Sequence, residues 1–390
     1  MSNHNYLTSL RNSENINSEY KKSISKYARP LIREELPIIL SLKHLSVLTD
    51  VPYNTLYNIV FRKIESYRIF AIKKRSGGKR WITVPTPYLM RVQKWINKNI
   101  LSNSHVLSYI SNNSMAYKKK SSHIKNALVH HGETKLIKLD ITNFFESISE
   151  RQVFHVFKKI GYKNSVAFIL TRLCTRILSL NNDIRLLNKE KRWFSLYQYK
   201  HLDNEKTIKR LGHLPQGAPT SPMLANLVCL ELDKKIEDMC LLEDFNYTRY
   251  ADDIVISGDF SDKENAINHI YEISKILRTH GFKTNYLKTK YCGAGDRKII
   301  TGLCINDPSS LRVPSHYKKK IRQEIYYIKK YGLIEHCRKL NIKNPLNYLN
   351  RLEGKIYYLI CVENENGKKA LENLEDAIPN IHELRQLAEI

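Results

Sequence analysis

The chain has 390 residues, of which 42% are hydrophobic and 26% are charged, so it is long enough for two or three domains with a sizeable core. Its net charge of +26 favours a polyanionic partner, although a solvated basic surface would give the same total. Seven cysteines without a C-x-x-C pair argue against a disulfide or zinc framework. The sequence has neither an apolar N-terminal stretch nor an apolar run of membrane-spanning length, which predicts a soluble, cytoplasmic protein with no membrane partner.

The first third of the chain predicts a helical region followed by a hairpin. Residues 1–35 are polar and are predicted to form a loose arm with at most one short helix. Residues 36–70 space their apolar side chains as helices do, with a break near Asp50 and Pro52. The stretch "AIKKRSGGKRWITVP" predicts two strands joined by a basic Gly-Gly turn, and residues 87–104 predict an amphipathic helix.

The middle of the chain predicts a mixture of strands and helices. Residues 133–149 predict a strand that runs into a helix, with a break or restart near Ser149, whereas residues 162–211 lack a clear pattern and predict an elaborated connection. The stretch "LPQGAPTSP" predicts a loop that feeds a long helix. The stretch "FNYTRYADDIVISG" predicts a hairpin, followed by a helix at residues 262–280 and further strands up to residue 306.

The C-terminal tail predicts helices. From Lys318 onward, Ile321, Ile325 and Ile328 recur on one helical face, while lysines occupy the others. The chain has no internal repeat, and its order is a helical lead, a small sheet, a mixed centre and a helical tail. The sequence therefore predicts an α+β fold.

Three aspartates stand at the ends of apolar strands. Asp252 and Asp253 are adjacent in the predicted hairpin, and Asp140 ends the strand "KLIKLD". A buried, unpaired carboxylate is costly, so such a group requires a cation or a turn that exposes it. Three hard oxygen ligands suit Mg²⁺, and two such ions can activate a hydroxyl and stabilise a leaving pyrophosphate. The alternative for any single aspartate is a turn or a helix cap.

The ordered motifs resemble those of the reverse transcriptase family. "YADD" in a hairpin, preceded by "LPQGAPTSP" and "DITNFF", is similar to the palm of these enzymes, and all seven family blocks can be placed in order between Tyr67 and Asn306. The resemblance implies a right-hand polymerase fold, with fingers at residues 36–132, a palm at 133–306 and a helical, RNA-binding thumb at 307–390. Residues 162–211 would be an insertion between fingers and palm.

The resemblance also implies roles for individual residues. Phe145 matches the bulky residue that excludes a ribose 2′-OH, although packing beside Phe144 is compatible with that role. Lys288 matches a lysine near the pyrophosphate that could act as general acid, and Lys290 is close enough to compete for this assignment. The implied ligands of two Mg²⁺ ions, or Mn²⁺ in their place, are Asp140, the carbonyl of Ile141, Asp252 and Asp253; the implied dNTP-binding residues are Lys79, Arg80, Phe145, Gln216 and Gly217. For Lys79 and Arg80, solubilising charges at a hairpin tip are the alternative.

Three further motifs resemble the bacterial retron branch of the family. They are "NALVH" at residues 126–130, "ITGLCIN" at residues 300–306, where Ile300 replaces the usual valine, and the basic helix "RVPSHYKKKIRQEIYYIKKYG". The RNA-binding residues implied by the first and third motifs are Asn126, His130, Lys318, Lys319, Lys320 and Arg322.

The retron resemblance implies a specific activity. The enzyme would bind a cognate structured non-coding RNA, prime from a guanosine 2′-OH and copy part of that RNA into branched msDNA, in antiphage defence with a separate effector protein. The alternatives are a defence or intron-like reverse transcriptase with a different priming habit, and an RNA-binding scaffold without catalysis.

Overall fold

A computed structural model describes residues 17–73, 77–177 and 212–378. The first part of the chain packs helices around a two-stranded antiparallel hairpin. Its elements are α1 (Ser18–Arg33), α2 (Leu42–Thr49), α3 (Tyr53–Val60), β1 (Tyr67–Lys73), β2 (Lys79–Pro85), α4 (Pro87–Ile96) with a π-helical turn (Asn97–Leu101), α5 (Ser104–Leu107) and α6 (His123–Leu128). The strands and the helix break at Asp50–Pro52 lie where the sequence predicts them.

Helix α1 differs from the loose arm predicted for residues 1–35. Ile24, Tyr27 and Leu31 recur at helical spacing and are buried, and Tyr27 and Leu31 belong to the first hydrophobic core. The Tyr27 hydroxyl donates a hydrogen bond to the carbonyl of Ile39 at 2.9 Å. The apolar face is narrow and lies among Lys, Ser and Arg, which is why composition alone suggested an arm.

The centre of the chain builds a four-stranded antiparallel sheet with the order β4-β5-β3-β6. The strands are β3 (Leu136–Asp140), β4 (Asn246–Tyr250), β5 (Asp253–Ser257) and β6 (Lys290–Cys292). The helices of this region are α7 (Phe144–Ser147), α8 (Glu150–Ile160), α9 (Asn164–Cys174), α10 (Ser221–Val228), α11 (Leu230–Leu242) and α12 (Lys263–Thr279). Helix α8 begins with a capping box formed by Ser149 and Gln152, at the predicted restart.

Helix α9 contradicts the absence of pattern predicted for the start of residues 162–211. Leu170, Leu173 and Cys174 are fully buried, and Gln93 Nε2 donates to the carbonyl of Leu173 at 2.7 Å. The polar composition of the later part of this stretch outweighed the helical spacing of its first part. Residues 178–211 lie outside the described residues.

The C-terminal elements are β7 (Ile299–Ile300), β8 (Leu303–Cys304), α13 (Ser315–Tyr331), α14 (Leu333–Lys339), α15 (Pro345–Val362) and α16 (Asn364–Ala377). Ile321, Ile325 and Ile328 of α13 are buried, on the face that the sequence predicts. They belong to a second hydrophobic core that also contains Leu136 and Val255 of the central sheet.

The central sheet therefore lies between two cores. Side chains alternate along a strand, so Leu136 and Val255 face the C-terminal core, whereas Ile137, Leu139 and Ile254 face the first core. Burial on both faces explains the uninterrupted apolar run Ile254–Ile256 of β5. Of the helices in the described ranges, none combines the length and apolar character needed to span a bilayer.

Candidate active site

The three aspartates meet at one end of the central sheet. Asp140 ends β3 and lies opposite Asp253, the first residue of β5, in the antiparallel register. Asp252 lies in the turn between β4 and β5, and the amide of Ile141 donates to its carbonyl at 2.9 Å. Backbone pairing thus brings the two strand ends together, which is the placement that the sequence pattern predicts.

A buried ion pair supports the turn that carries Asp252. Ala251 has a φ of +60°, a left-handed conformation that is costly for a residue with a Cβ. Arg249 donates to the carbonyl of Ala251 at 3.1 Å and to both carboxylate oxygens of Asp233 at 2.6 and 2.7 Å. The side chains of Arg249 and Asp233 are 0% exposed, and Tyr247 also donates to Asp233. Sequence reasoning missed this pair, because Asp233 stands among other charged residues in "LELDKKIEDM" and nothing local marks it as buried.

Negative charge is concentrated at this end of the sheet. Burial raises the pKa of Asp252 to about 6, with the neighbouring charges of Asp253 and Asp140 adding to the effect. Burial also raises the pKa of Asp253, and Lys138 partly offsets the shift. Asp253 and Asp140 therefore make ionisation of Asp252 less favourable, Asp140 does the same to Asp253, and a cation would relieve that repulsion.

Asp140 is the best satisfied of the three carboxylates. Asn285 Nδ2 donates to its Oδ1 at 2.9 Å, and Lys288 Nζ donates to its Oδ2 at 2.6 Å. This hydrogen bond raises the pKa of Lys288, so its ammonium stays protonated beside Asp140. Lys290 lies in β6 opposite Lys138, so the structure favours Lys288 for the predicted role near the aspartates.

The donor set has the chemistry that a divalent metal needs. Asp140, Asp252 and Asp253, together with the carbonyl of Ile141, would hold the ions, which when bound activate a hydroxyl and stabilise a pyrophosphate. Within the described ranges no three Asp, Glu, His or Cys side chains are already arranged as a metal cluster. The Lys288 ammonium neutralises Asp140 instead, so metal binding would require Asp140 to exchange this partner.

The predicted nucleotide-binding loop docks against the hairpin formed by β1 and β2. The amide of Thr83 in β2 donates to the carbonyl of Gln216 at 2.7 Å. Gly217 has a φ of +117°, and a Cβ there would lie 2.8 Å from Ile82 Cγ2 and 3.0 Å from the Thr83 carbonyl. The glycine is therefore required for close approach to β2, which fixes the loop relative to the fingers.

The other predicted nucleotide-binding residues are Lys79 and Arg80 in β2 and Phe145 in α7. Lys79 and Arg80 are exposed at the start of β2, at the end of the hairpin that adjoins the turn. Phe145 is half-buried, and its ring centroid is 5.4 Å from that of Phe144, which is buried in the core. Phe145 is thus packed against Phe144 and also partly exposed.

The structure corrects the predicted RNA contacts of Asn126 and His130. Both side chains are fully buried. The ring nitrogens of His130 lie 2.7 Å from Ser257 Oγ and 2.7 Å from Thr248 Oγ1, so the imidazole ties the end of α6 to β4 and β5. An enclosed side chain cannot reach RNA. The motif "NALVH" therefore reflects packing against β4 and β5 and does not indicate an RNA contact. Thr301 of "ITGLCIN" packs here too, with its hydroxyl donating to the carbonyl of His123.

Replacing His130 with glutamine should flatten the dependence of stability on pH. Burial lowers the pKa of His130 to about 3, whereas an unfolded imidazole titrates near 6.5. Between these values the unfolded chain binds a proton that the folded chain excludes. The free energy of unfolding therefore falls as the pH is lowered, by up to about 1.4 kcal/mol per pH unit from this group.

Urea unfolding at about pH 7 and about pH 5 measures this slope. The exposed His155 provides the matched control, and His155→Gln should retain the wild-type slope. Equal slopes in the wild type and His130→Gln would show that the buried imidazole does not contribute.

The predicted basic face of the thumb also needs one correction. Lys319, Lys320 and Arg322 are exposed on α13. Lys318 instead forms an ion pair with the buried carboxylate of Glu363 at 2.9 Å, which joins the first turn of α13 to the start of α16. Lys318 therefore has a structural partner, and three of the four predicted cations remain exposed for a phosphate backbone.

Comparisons with known proteins point to one enzyme family. Residues 72–326 match the family model described as reverse transcriptase (RNA-dependent DNA polymerase). The chain is 28% identical over 345 residues to the retron Ec86 reverse transcriptase of Escherichia coli, covering 86% of this chain and 93% of that protein. It is 29% identical over 276 residues to the retron Mx162 reverse transcriptase of Myxococcus xanthus, covering 68% and 53%.

A comparison of solved structures finds telomerase from Candida albicans in complex with a fragment of telomeric RNA. The TM-score is 0.41 at 14% identity, and the match covers 90% of this chain and 59% of the telomerase chain.

Proposed function

This chain belongs to the reverse transcriptase family and is an RNA-directed DNA polymerase, and we propose that it serves a retron. In this role it works in the cytoplasm, binds the structured non-coding RNA encoded beside it and primes from the 2′-OH of a guanosine. It copies part of the RNA into DNA, and the product is branched msDNA that stays bound. The observation that carries the proposal is the cluster of Asp140, Asp252 and Asp253 in a chain whose relatives along most of its length are named retron reverse transcriptases.

The site residues have defined tasks in this proposal. The three aspartates and the Ile141 carbonyl hold two Mg²⁺ ions, or Mn²⁺ in their place, and Lys288 protonates the departing pyrophosphate. Incoming dNTPs lie against Phe145, with their triphosphate near the basic end of β2 and the Gln216–Gly217 loop. Mutual repulsion of the carboxylates supports the metal assignment, and the short contact between Lys288 and Asp140 supports a lysine near the reacting phosphate.

The proposed biological role is antiphage defence with a separate effector protein. The net charge of +26 supports a large nucleic-acid partner, and the exposed cations of α13 offer a surface that follows phosphates without reading bases. Folded RNA is recognised through shape, stacking and 2′-OH contacts, for which such a surface is suited.

The decisive experiment is to express the chain with its native upstream flanking DNA and to extract the nucleic acid that copurifies. The extract is treated with ribonuclease and, separately, with debranching enzyme before gel analysis. A small DNA whose mobility shifts on debranching is expected. DNA without a branch would point to a reverse transcriptase with a different priming habit, and RNA without DNA would point to a scaffold.

Neutralising the exposed cations in the first two turns of α13 should weaken RNA binding and reduce its dependence on salt. The variant replaces Lys319, Lys320 and Arg322 with glutamine, and leaves Lys318 in its ion pair with Glu363. Because each neutralised phosphate releases condensed counterions, the slope of log affinity against log salt should fall by about two to three. Filter binding or fluorescence anisotropy at several salt concentrations measures the slope.

A control variant removes the same number of charges elsewhere. Lys234 and Lys235 on α11 and Lys275 on α12 are exposed, and their replacement by glutamine should change the slope much less. A slope that is the same for the α13 variant and the wild type would contradict the assignment of this helix to RNA.

A further inference from the structure

A second aromatic ring, that of Tyr117, lies next to Phe145. The two ring centroids are 6.3 Å apart, with the planes inclined at 45°. The Tyr117 side chain is 44% exposed, so it does not serve the core as Phe144 does. Burial of part of the ring, and then the charge of Asp252, raises the pKa of the Tyr117 phenol, which indicates that the side chain lies close to the aspartates.

The backbone holds Tyr117 in an unusual conformation. Its φ is +63°, in the left-handed region that bulky residues rarely adopt and that is enriched at functional sites. The amide of Met115 donates to the carbonyl of Arg249 at 2.8 Å, and Asn226 Nδ2 donates to the carbonyl of Ala116 at 2.8 Å. The loop is thereby fixed to the strand residue that also supports the Ala251 turn.

A strained and firmly held residue with an exposed ring has a purpose other than packing. We propose that the ring of Tyr117 forms, together with Phe145, an aromatic wall against the sugar and base of the incoming nucleotide, and that it thereby helps to determine nucleotide specificity. The inference rests on the proposed nucleotide role of Phe145 and deepens it. An aromatic face suits this task because every base and every sugar offers a surface for it, so all four nucleotides can be accepted.

In this proposal the aromatic ring contacts the nucleotide and the hydroxyl does not. The two variants are therefore chosen to separate the ring from the hydroxyl. Tyr117→Phe keeps the ring, and Tyr117→Ala removes it without creating a cavity, since the side chain is part-exposed. The assay extends a synthetic DNA primer on a synthetic RNA template with single dNTPs and with the matching rNTPs. Wild-type extension of this primer does not depend on whether the native product is branched, so the result is separate from the retron proposal.

The expected result is a KM for dNTPs about tenfold higher in Tyr117→Ala, corresponding to the loss of one stacking contact, with little change in kcat. Discrimination against rNTPs should fall because Phe145 loses the neighbouring ring. Tyr117→Phe should behave as the wild type does. The control is Lys120→Ala, because Lys120 is exposed in the same loop and also has a left-handed φ, of +64°.

Three outcomes would overturn the inference. The first is an unchanged KM and unchanged discrimination in Tyr117→Ala. The second is equal defects in Tyr117→Phe and Tyr117→Ala, which would assign the role to the hydroxyl. The third is an equal rise in KM in Lys120→Ala, or a large drop in melting temperature in Tyr117→Ala, either of which would make the loop conformation alone responsible.

Discussion

Replacing Asp252 or Asp253 with asparagine is expected to abolish DNA synthesis while leaving RNA binding nearly intact. Asparagine keeps the size of the side chain but removes the negative charge that the metal ions need. Losing several kcal/mol of metal-based stabilisation corresponds to a rate lower by roughly a thousandfold or more. The fold should tolerate the change, because burial and the neighbouring charges of Asp253 and Asp140 already oppose ionisation of Asp252.

Primer extension and RNA binding must be measured on the same preparations. Asp259→Asn is the matched control, since Asp259 follows β5 on the exposed surface and its side chain is 91% exposed. This variant should retain wild-type synthesis. Loss of RNA binding in the Asp252 or Asp253 variants would instead mean that these carboxylates are structural, and the metal assignment would then fail.

The placement of the aspartates could be predicted from the sequence because it depends on local patterns. The hairpin that carries Asp252 and Asp253 is bounded by strand formers and a glycine, and Asp140 ends an apolar run. The adjacency of β3 and β5 is a long-range pairing that periodicity alone does not give; it was inferred from the carboxylates at the two strand ends, and the resemblance to a family supported it. The buried isoleucines of α13 were likewise readable from helical spacing.

The remaining features depend on the partners that each residue meets in the fold. Nothing in "NALVH" distinguishes a histidine that faces RNA from one enclosed by Ser257 and Thr248. Lys318 could not be separated from Lys319 without knowing that Glu363, forty-five residues later, lies beside it. Tyr117 carried no signal at all, because its position results from a backbone pairing with β4.

Removing the carboxylate of Asp233 is expected to destabilise the fold strongly. Asp233→Ala leaves the fully buried guanidinium of Arg249 without its charge partner. Breaking one member of a buried pair typically costs about 3–5 kcal/mol, because the desolvated charge that remains is uncompensated. Urea unfolding measures this loss. Glu231→Ala is the matched control, because Glu231 lies on the exposed face of α11, two residues before Asp233, and forms an exposed ion pair with Lys159. This variant should lose at most about 1 kcal/mol of stability.

The double variant Asp233→Leu with Arg249→Met separates the effect of the buried charge on stability from the support that Arg249 gives to the Ala251 turn. Replacing both partners with apolar groups removes the uncompensated charge, so most of the stability lost in Asp233→Ala should return. DNA synthesis should nevertheless remain low, because the carbonyl of Ala251 loses the donor that supports the left-handed turn before Asp252. Full activity in the stable double variant would contradict this role, and would show that the turn keeps its conformation through the pairing of β4 and β5 alone.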